Sequence, residues 1–167
     1  DKDPNLIFPA ERLREFAERG VIGELHPVGY SFMGHIDGDK VDTLKNSTAA
    51  EVAKRLSDAT VDYALLVPAV GICNRSGGLA AREIERQGIA TVSLSIVREI
   101  TEKSPPSRAL VMRWPFGHAL GERGAREQQL GVLARAFELL FEAEEPATIR
   151  DSELRWRREK YAEPDWE

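Results

Sequence analysis

The sequence contains a single cysteine, Cys73, among its 167 residues. One thiol excludes a disulfide within the chain and any zinc or iron–sulfur site that needs several thiolates from one chain. Long hydrophobic stretches are lacking as well, since no apolar run approaches the roughly 20 residues of a membrane-spanning helix. The first residues, Asp1 to Pro4, are polar and do not form the apolar core of a secretion signal. These absences predict a cytoplasmic protein with no membrane partner.

A basic patch is also missing from the sequence. Lys and Arg number 23 against 28 Asp and Glu, which gives a formal net charge of -5, and the two signs are mixed along the chain. Even the arginines from Arg150 to Arg158 are interleaved with acidic residues. Proteins that bind nucleic acids usually concentrate Lys and Arg in a patch or stripe. The charge pattern therefore predicts no nucleic-acid partner.

What is present is the composition of an ordinary globular protein, 42% hydrophobic and 31% charged. The length suits one compact domain with its own core. No linker, internal repeat or low-complexity segment divides the chain. We predict a single α/β domain over residues 1–167, with a polar, helix-prone C-terminal tail over residues 150–167.

Hydrophobic periodicity divides the sequence into alternating strands and helices. Apolar residues at helical spacing predict helices at 11–19, 48–59, 79–87 and 126–143, with a shorter one at 96–103. Short apolar runs predict strands at 21–29, 61–67, 89–94 and 108–112. This alternation predicts a three-layer α/β fold: an open, mostly parallel sheet with helices on both faces, of Rossmann-like or flavodoxin-like topology.

Two local patterns add detail to this prediction. Thr48 and Glu51 have the spacing of a capping box, in which each side chain bonds a free backbone N–H at the start of a helix. Residues 61–67, VDYALLV, are nearly continuous in apolar residues and end at Pro68. Such a run is typical of a central parallel strand that is covered on both faces.

In open α/β sheets, ligands bind beyond the carboxyl ends of the strands. Three predicted loops lie there, at 68–78, 93–97 and 113–121. Ser95 lies in the second loop, and Trp114 lies in the third. Trp114 would line a pocket wall together with Phe116 and Tyr30, or these aromatic residues belong to the core.

The first of these loops is long for a connection between a strand and a helix, and its glycines allow a tight turn or a close approach to a ligand. Cys73 is predicted just before the helix, whose N-terminus favours anions, and Arg75 adds a positive charge. Both features would favour the nucleophilic thiolate or hold the carboxylate of a small acid. The alternative is a structural turn with a packed thiol. No dinucleotide fingerprint or phosphate-binding loop is present, so no cofactor is evident.

The three histidines, His26, His35 and His118, are far apart in sequence. A thiol nucleophile benefits from a neighbouring base, which makes His26 and His118 candidates for catalysis. Isolated histidines are more often hydrogen-bonded structural residues, so that alternative stays open. No spacing supports a metal site, and none is predicted.

Several segments resemble a known family. Residues 71–77, GICNRSG, followed by residues 82–89, REIERQGI, are similar to the active-site segment of selenoprotein B of the glycine, sarcosine and betaine reductases, a family that includes D-proline reductase. Residues 20–26, GVIGELH, match a further stretch of that family, and residues 114–117, WPFG, stand where it has a Pro-His-Pro-Leu-Gly turn. The resemblance spans most of residues 10–143 and implies a match to the C-terminal part of a longer subunit.

The resemblance implies reductive chemistry on a small acid. In the family, a selenolate attacks the α-carbon of an activated N-substituted acid and displaces the amine, and the carboxymethyl group passes to a partner selenoprotein. Position by position, the selenocysteine falls on Val70, the first family cysteine on Cys73 and the second on Ser76. Valine can neither attack carbon nor bond to Cys73, so the resemblance does not carry the selenol chemistry over to this chain.

The prediction is a selenoprotein B-like protein: a cysteine-dependent oxidoreductase, or an enzyme or subunit of C–N or C–S bond chemistry, acting on a small amino or carboxylic acid through Cys73. Arg75 would hold the anion, and the pocket would be shaped by Gly71, Asn74, Ser76 and Gly77. A second reductase or carrier subunit and a homo-oligomer are the expected protein partners. One alternative is a non-catalytic subunit or interaction protein that keeps the fold but has lost the selenol chemistry. Another is a cofactor- or metal-binding domain that uses Cys73 and a histidine across an oligomer interface.

Overall fold

The computed structural model describes residues 3–156 and 164–165. A 3-10 turn at Pro4–Leu6 precedes helix α1, Ala10–Glu18. A continuous helical stretch follows, made of helix α2, Asp39–Thr43, a π-helical turn, Leu44–Thr48, and helix α3, Ala49–Asp58. The remaining elements alternate: β1, Tyr63–Leu66; α4, Cys73–Arg86; β2, Ala90–Ser95; α5, Arg98–Lys103; β3, Arg108–Val111; α6, Arg126–Glu142; and β4, Thr148–Asp151.

The strands form a four-stranded parallel sheet in the order β1-β2-β3-β4. Tyr63 pairs with Ala90 in the first ladder, Ser93 pairs with Ala109 in the second, and each later strand extends the sheet in the same direction. A parallel sheet whose successive strands are joined through helices confirms the predicted α/β class.

Helices cover both faces of this sheet because side chains alternate along each strand. Leu65 packs into the main core, where Leu94 and Leu110 meet the apolar residues of α6. Ala64 points the other way and packs with Leu56 of α3 and Ile84 of α4. The layers are therefore α1 and α6 on one face, the sheet, and α3 and α4 on the other, as the sequence predicts.

Helix α6 is the longest element, and its bounds match the predicted helix within one residue. It packs on β2 and β3 and also contacts α1. Its buried residues are Gln128, Gln129, Leu130, Val132, Leu133, Ala136, Phe137, Leu139 and Leu140. None of the helices in the described part of the chain is long and apolar enough to cross a membrane.

The strand predicted at residues 21–29 is wrong, because residues 24–37 follow an irregular path without any helix or strand. The apolar residues of this segment do not alternate: Ile22 is buried, whereas Val21 and Val28 are exposed. Gly23, Pro27 and Gly29 further weaken strand pairing, since proline lacks an N–H and glycine lacks a side chain to pack.

Two further expectations about local structure are wrong. Strand β1 is a terminal strand of the sheet rather than a central one, and its four residues are only partly buried. The capping box does not form, because α2 and the π-helical turn run directly into α3 and leave no free N-terminus there. Thr48 instead donates a hydrogen bond to the carbonyl of Thr43, and Glu51 pairs with Arg55.

The predicted polar tail begins inside the fold. Arg150 and Asp151 belong to β4, a strand that the sequence analysis missed, and β4 pairs with β3. Beyond it, Leu154 and Trp156 pack against the main core. Residues 157–163 and 166–167 of the predicted tail lie outside the described residues.

Candidate functional site

Three loops meet at the carboxyl end of the sheet, where the sequence places a ligand site. The N–H of Gly117, in the loop after β3, donates a hydrogen bond of 2.7 Å to the carbonyl of Ala69, in the loop after β1. A methyl group on Gly71 would lie 3.6 Å from the Phe116 ring and 3.8 Å from Val97, so the loop after β2 is in contact as well. The loop after β1 is therefore enclosed by its two neighbours.

The loop after β1 is shorter than predicted, because α4 begins at Cys73 rather than at Leu79. Gly77 and Gly78 are helical residues, and the reason for a glycine at 78 is space. A methyl group on Gly78 would collide with the carbonyl oxygen of Ser104, at the end of α5, and one on Gly77 would lie 3.3 Å from Pro68. Glycine here allows a close approach of two helices.

The Cys73 thiol is partly buried at the start of α4. Gly34 lies directly against it, because a methyl group at this position would collide with Cys73 Sγ. Val70 lies one turn before Cys73, and its side chain is 41% exposed. The thiol is thus framed by the irregular segment on one side and by the loop after β1 on the other.

The first N–H groups of α4 are not free to bind an anion, contrary to the expectation for an open helix N-terminus. The N–H of Cys73 donates to the carbonyl of Val70 at 3.1 Å, and that of Asn74 donates to Gly71 at 3.1 Å. The N–H of Arg75 donates to Ile72 at 3.0 Å. The tight turn before the helix therefore uses the donors that a ligand would need.

Arg75 is engaged within the protein. Its guanidinium donates a 2.8 Å hydrogen bond to the Asp37 carboxylate and a second one to the carbonyl of Ile36. The hydrogen bond and charge of Arg75 hold the pKa of Asp37 below its usual range, and His35 contributes to the same effect. The positive charge that the sequence assigns to a substrate is thus paired with an internal carboxylate.

Asn74 and Ser76 are buried and tie the walls of the site together. The amide of Asn74, which is 3% exposed, donates to the carbonyls of Val70 and Gly71, while its Oδ1 has no partner. Ser76 donates a 2.6 Å hydrogen bond to the carbonyl of Gly34. These two side chains fix the loop after β1 and the irregular segment against α4.

The two candidate histidines make their hydrogen bonds elsewhere. His26 Nδ1 accepts from the N–H of Val28 at 3.3 Å, within the irregular segment. His118 Nδ1 bonds to the carbonyl of Gly121 at 3.1 Å, and its ring packs edge-on against Trp156. Among the described residues, no hydrogen bond joins either histidine to Cys73.

Ser95 and Trp114 are buried at the same end of the sheet. Ser95 Oγ shares a 2.6 Å hydrogen bond with Thr101, which ties β2 to α5. Trp114 is 5% exposed and packs against Trp156 in the main core, which corresponds to the core alternative for this residue. Phe116, in contrast, is 62% exposed beside Gly71.

Gly34 and Asp37 are contact residues that the sequence analysis did not select. They lie 39 and 38 residues from their partners Cys73 and Arg75, in a segment without periodicity, so no local pattern reveals them. Only a comparison of correlated changes among homologues would carry that signal. Within residues 3–156 and 164–165, no group of three His, Cys, Asp or Glu side chains is placed to hold a metal ion.

Fold and site together define a class: an α/β protein with a parallel sheet whose single thiol lies at the strand ends, at the start of the helix after β1. Comparison with known proteins narrows this class. The chain is 30% identical over 142 residues to D-proline reductase subunit gamma of Acetoanaerobium sticklandii, a match that covers 85% of this chain and 58% of the relative.

Two relatives from Peptoclostridium acidaminophilum are similar as well. The chain is 31% identical over 153 residues to glycine reductase complex component B subunit gamma, covering 89% of this chain and 34% of the relative. It is 32% identical over 143 residues to sarcosine reductase complex component B subunit beta, covering 83% of this chain and 32% of that subunit. No family model and no solved structure matches the chain.

The chain belongs to the family of D-proline and glycine, sarcosine and betaine reductase subunits. It spans 58% of the D-proline reductase subunit and about a third of the glycine and sarcosine reductase subunits. The family resemblance predicted from the loop after β1 and its flanking segments is therefore confirmed.

Proposed function

We propose that this chain is a reductase-complex subunit that acts on a small amino or carboxylic acid through Cys73. The observation that carries the proposal is the position of the chain's only thiol, which lies partly exposed at the carboxyl end of the sheet, where the three loops after β1, β2 and β3 meet. In parallel α/β folds this is the end at which ligands bind. Its relatives are named as subunits of reductase complexes, which supports a role beside partner subunits.

The chemistry we assign to Cys73 is nucleophilic displacement at the α-carbon. The thiolate forms a C–S bond, the C–N bond breaks, and the amine leaves with the bonding electrons and takes up a proton. This step needs no oxidant or reductant, because the electrons of the thiolate form the new bond. A nucleophilic group of a partner subunit would then attack the same carbon, forming the new bond as the C–S bond breaks, and the sulfur would leave with the electron pair as the Cys73 thiolate. We assign no cofactor to this chain.

The resemblance to the family is the reason to place the nucleophile on Cys73. It implies that the selenocysteine position corresponds to Val70, whose side chain cannot attack carbon, and Cys73 lies one helical turn further along. Asn74 and Ser76, which lie in the same first turn of α4, would shape the pocket by holding the loop after β1 and the irregular segment in place.

The proposal is tested by the rate at which Cys73 is alkylated as a function of pH, read from the intact mass. Glycine, sarcosine, betaine and D-proline are added one at a time as candidate ligands. Alkylation at neutral pH faster than that of a free thiol, together with protection by one of these compounds, would support the proposal. Ordinary alkylation kinetics with no protection would contradict it. Cys73→Ser is the control, because it removes the only thiol.

A non-catalytic subunit is the second candidate, and the site geometry gives it specific support. The helix N–H groups are used internally, Arg75 is paired with Asp37, and neither histidine bonds Cys73. A subunit of this kind would bind its partner equally well with and without the thiol. A pull-down of wild type and Cys73→Ser from the native host separates the two: equal partner recovery combined with equal reductase activity supports the non-catalytic candidate.

A further inference from the structure

Residues 24–37 form a strap that crosses the start of α4. The strap makes no backbone–backbone hydrogen bond to any other described residue. Its attachment is by side chains instead: Tyr30 packs on the cluster of α3 and α4, and Phe32 and Ile36 pack near Leu66 and Leu79. A segment with this kind of attachment opens more easily than one whose backbone is paired in a sheet.

Three residues in the first turn of α4 contact the strap near its C-terminal end. Cys73 is covered by Gly34, Ser76 donates to the carbonyl of Gly34, and Arg75 donates to the carbonyl of Ile36 and to the Asp37 carboxylate. The strap therefore places hydrogen-bond acceptors against the side-chain donors of Arg75 and Ser76. A small acid that reached Cys73 would need the same donors.

The Asp37 contact is the one that a ligand can replace. The Asp37 side chain is 66% exposed and that of Arg75 is 33% exposed, so solvent reaches the pair from the strap side. Exposed ion pairs contribute little to stability, typically about 0 to 1 kcal/mol. A carboxylate on a ligand has the same chemistry as the Asp37 side chain and can accept the same hydrogen bonds from Arg75.

We propose that the strap is a gate that occupies the binding site in the absence of ligand. Asp37 holds Arg75 in place of the carboxylate of a small-acid ligand, and Gly34 covers Cys73 until the ligand carboxylate displaces Asp37 from Arg75. The inference rests on the proposed function in taking the Cys73 loop as the site, and it adds the regulation of that site. Binding and access are coupled here, because the ligand that takes Arg75 also loosens the cover over the thiol.

Two alkylating reagents distinguish access to the Cys73 thiol from recognition of a carboxylate by Arg75. Iodoacetamide is neutral. Iodoacetate has a carboxylate in the position of the iodoacetamide amide group, at the same distance from the reactive carbon. With either one, Cys73 Sγ forms a bond to the CH₂ carbon, the C–I bond breaks, iodide leaves with the electron pair and the thiol proton goes to the buffer. The variant is Asp37→Asn, and Asp39→Asn is the control with the same charge change on a residue of α2 outside the strap.

Asp37→Asn removes an exposed ion pair, so we expect iodoacetamide to alkylate Cys73 about twofold to fivefold faster than in wild type. The iodoacetate rate should rise by a larger factor. Asp39→Asn should match wild type with both reagents. An unchanged iodoacetamide rate in Asp37→Asn would overturn the gate. A rise of both rates by the same factor would overturn the assignment of Arg75 to a carboxylate.

These outcomes are independent of turnover. If the gate is correct and the proposed function is not, the two alkylation rates change as described while the assembled complex shows the same reductase activity with wild type and Cys73→Ser. If the proposed function is correct and the gate is not, Cys73→Ser abolishes that activity and Asp37→Asn leaves both alkylation rates unchanged.

Discussion

The two faces of the sheet differ in what they contribute. The face toward α6 is apolar and fully enclosed, with Leu94 and Leu110 of the sheet meeting Leu133 of α6 at exposures of 0%, 1% and 0%. The face toward α4 carries small and polar residues instead, including Thr91, Ser93 and Ser95 on β2. Burial of the apolar side chains on the first face contributes hydrophobic free energy to folding, and the second face leaves room for polar groups near the site.

The two faces also anchor irregular N-terminal segments differently. On the α6 side, Asp3 accepts hydrogen bonds from the N–H of Gly124 at 3.0 Å and from Gln129 at 2.7 Å. On the α4 side, the strap is tied by Asp37, which is exposed to solvent. A carboxylate that is partly shielded from water, such as Asp3, can therefore serve as a fixed anchor, whereas a solvent-exposed one, such as Asp37, can be replaced by another anion.

Truncating the enclosed face should have the largest effect. Leu133→Ala removes a side chain that is 0% exposed and leaves a cavity among close-packed neighbours. The expected loss is about 2 to 5 kcal/mol of unfolding free energy, measured by urea unfolding followed by circular dichroism. Leu79→Ala on α4 is the matched control, and its cost should be smaller because Leu79 is already partly exposed. Equal costs would contradict the difference between the faces.

A methyl group added to the α4 side should have the next largest effect. Gly78→Ala places its methyl group against the Ser104 carbonyl, and overpacking of this kind costs about 1 to 3 kcal/mol. The clash is with rigid backbone, so the cost should lie near the upper end of this range. Alanine recovers up to about 1 kcal/mol of helix propensity, which leaves a net loss of about 2 kcal/mol of unfolding free energy.

Gly77→Ala is the control for the same helix. Its methyl group would lie 3.3 Å from a Pro68 side-chain atom rather than against backbone, so its cost should be lower than that of Gly78→Ala. If Gly78→Ala unfolds at the wild-type urea midpoint, the close approach of α4 and α5 is not what requires glycine at position 78.

The enclosed face and the order of elements were the parts most open to prediction from sequence. Apolar residues at helical spacing predicted α6 almost to its ends, and buried β-branched and leucine-rich runs predicted β1, β2 and β3. Strand β4 escaped because its four residues, Thr148–Asp151, are partly or fully exposed and show no apolar run. The position of β1 at the sheet edge depends on strand order, which hydrophobicity does not encode.

The site was predictable only in its local part. The loop after β1 and the position of Cys73 follow from the chain order and the family pattern, because both are continuous in sequence. The predicted start of α4 is wrong, since Gly77 and Gly78 resemble a helix breaker, whereas in the fold Gly78 lets α4 approach the end of α5 and Gly77 lies beside Pro68. The strap contacts join residues nearly 40 positions apart, and nothing in a single sequence specifies them.

The two anchoring carboxylates should differ in their effect on stability as pH falls. Partial burial opposes ionisation of Asp3, but the hydrogen bonds from Gly124, Gln129 and Asn5 outweigh it and lower its pKa from 3.8 to about 2. A lowered pKa contributes stability that is present above pH 4 and is lost as the pH falls toward 2.

Asp3→Asn should therefore cost about 1 to 2 kcal/mol at neutral pH, and the difference from wild type should shrink as the pH falls from 4 toward 2. The measurement is urea unfolding at a series of pH values. Asp37→Asn serves as the comparison, and its unfolding midpoint at neutral pH should stay close to that of wild type because Asp37 is exposed. A larger loss in Asp37→Asn than in Asp3→Asn would reverse the distinction between fixed and replaceable anchors.

The smallest effect is expected inside the polar face. Ser93 Oγ is buried without a hydrogen-bond partner, whereas Ser95 Oγ, two residues along the same strand, shares a 2.6 Å bond with Thr101. Removing an unpaired buried hydroxyl releases a desolvation cost, so Ser93→Ala should be neutral or stabilise the protein by up to about 1 kcal/mol. Ser95→Ala loses a hydrogen bond and should cost about 0.5 to 1.5 kcal/mol. The measurement is urea unfolding of both variants. A loss of unfolding free energy in Ser93→Ala equal to that in Ser95→Ala would mean that the Ser93 hydroxyl has a hydrogen-bond partner in solution.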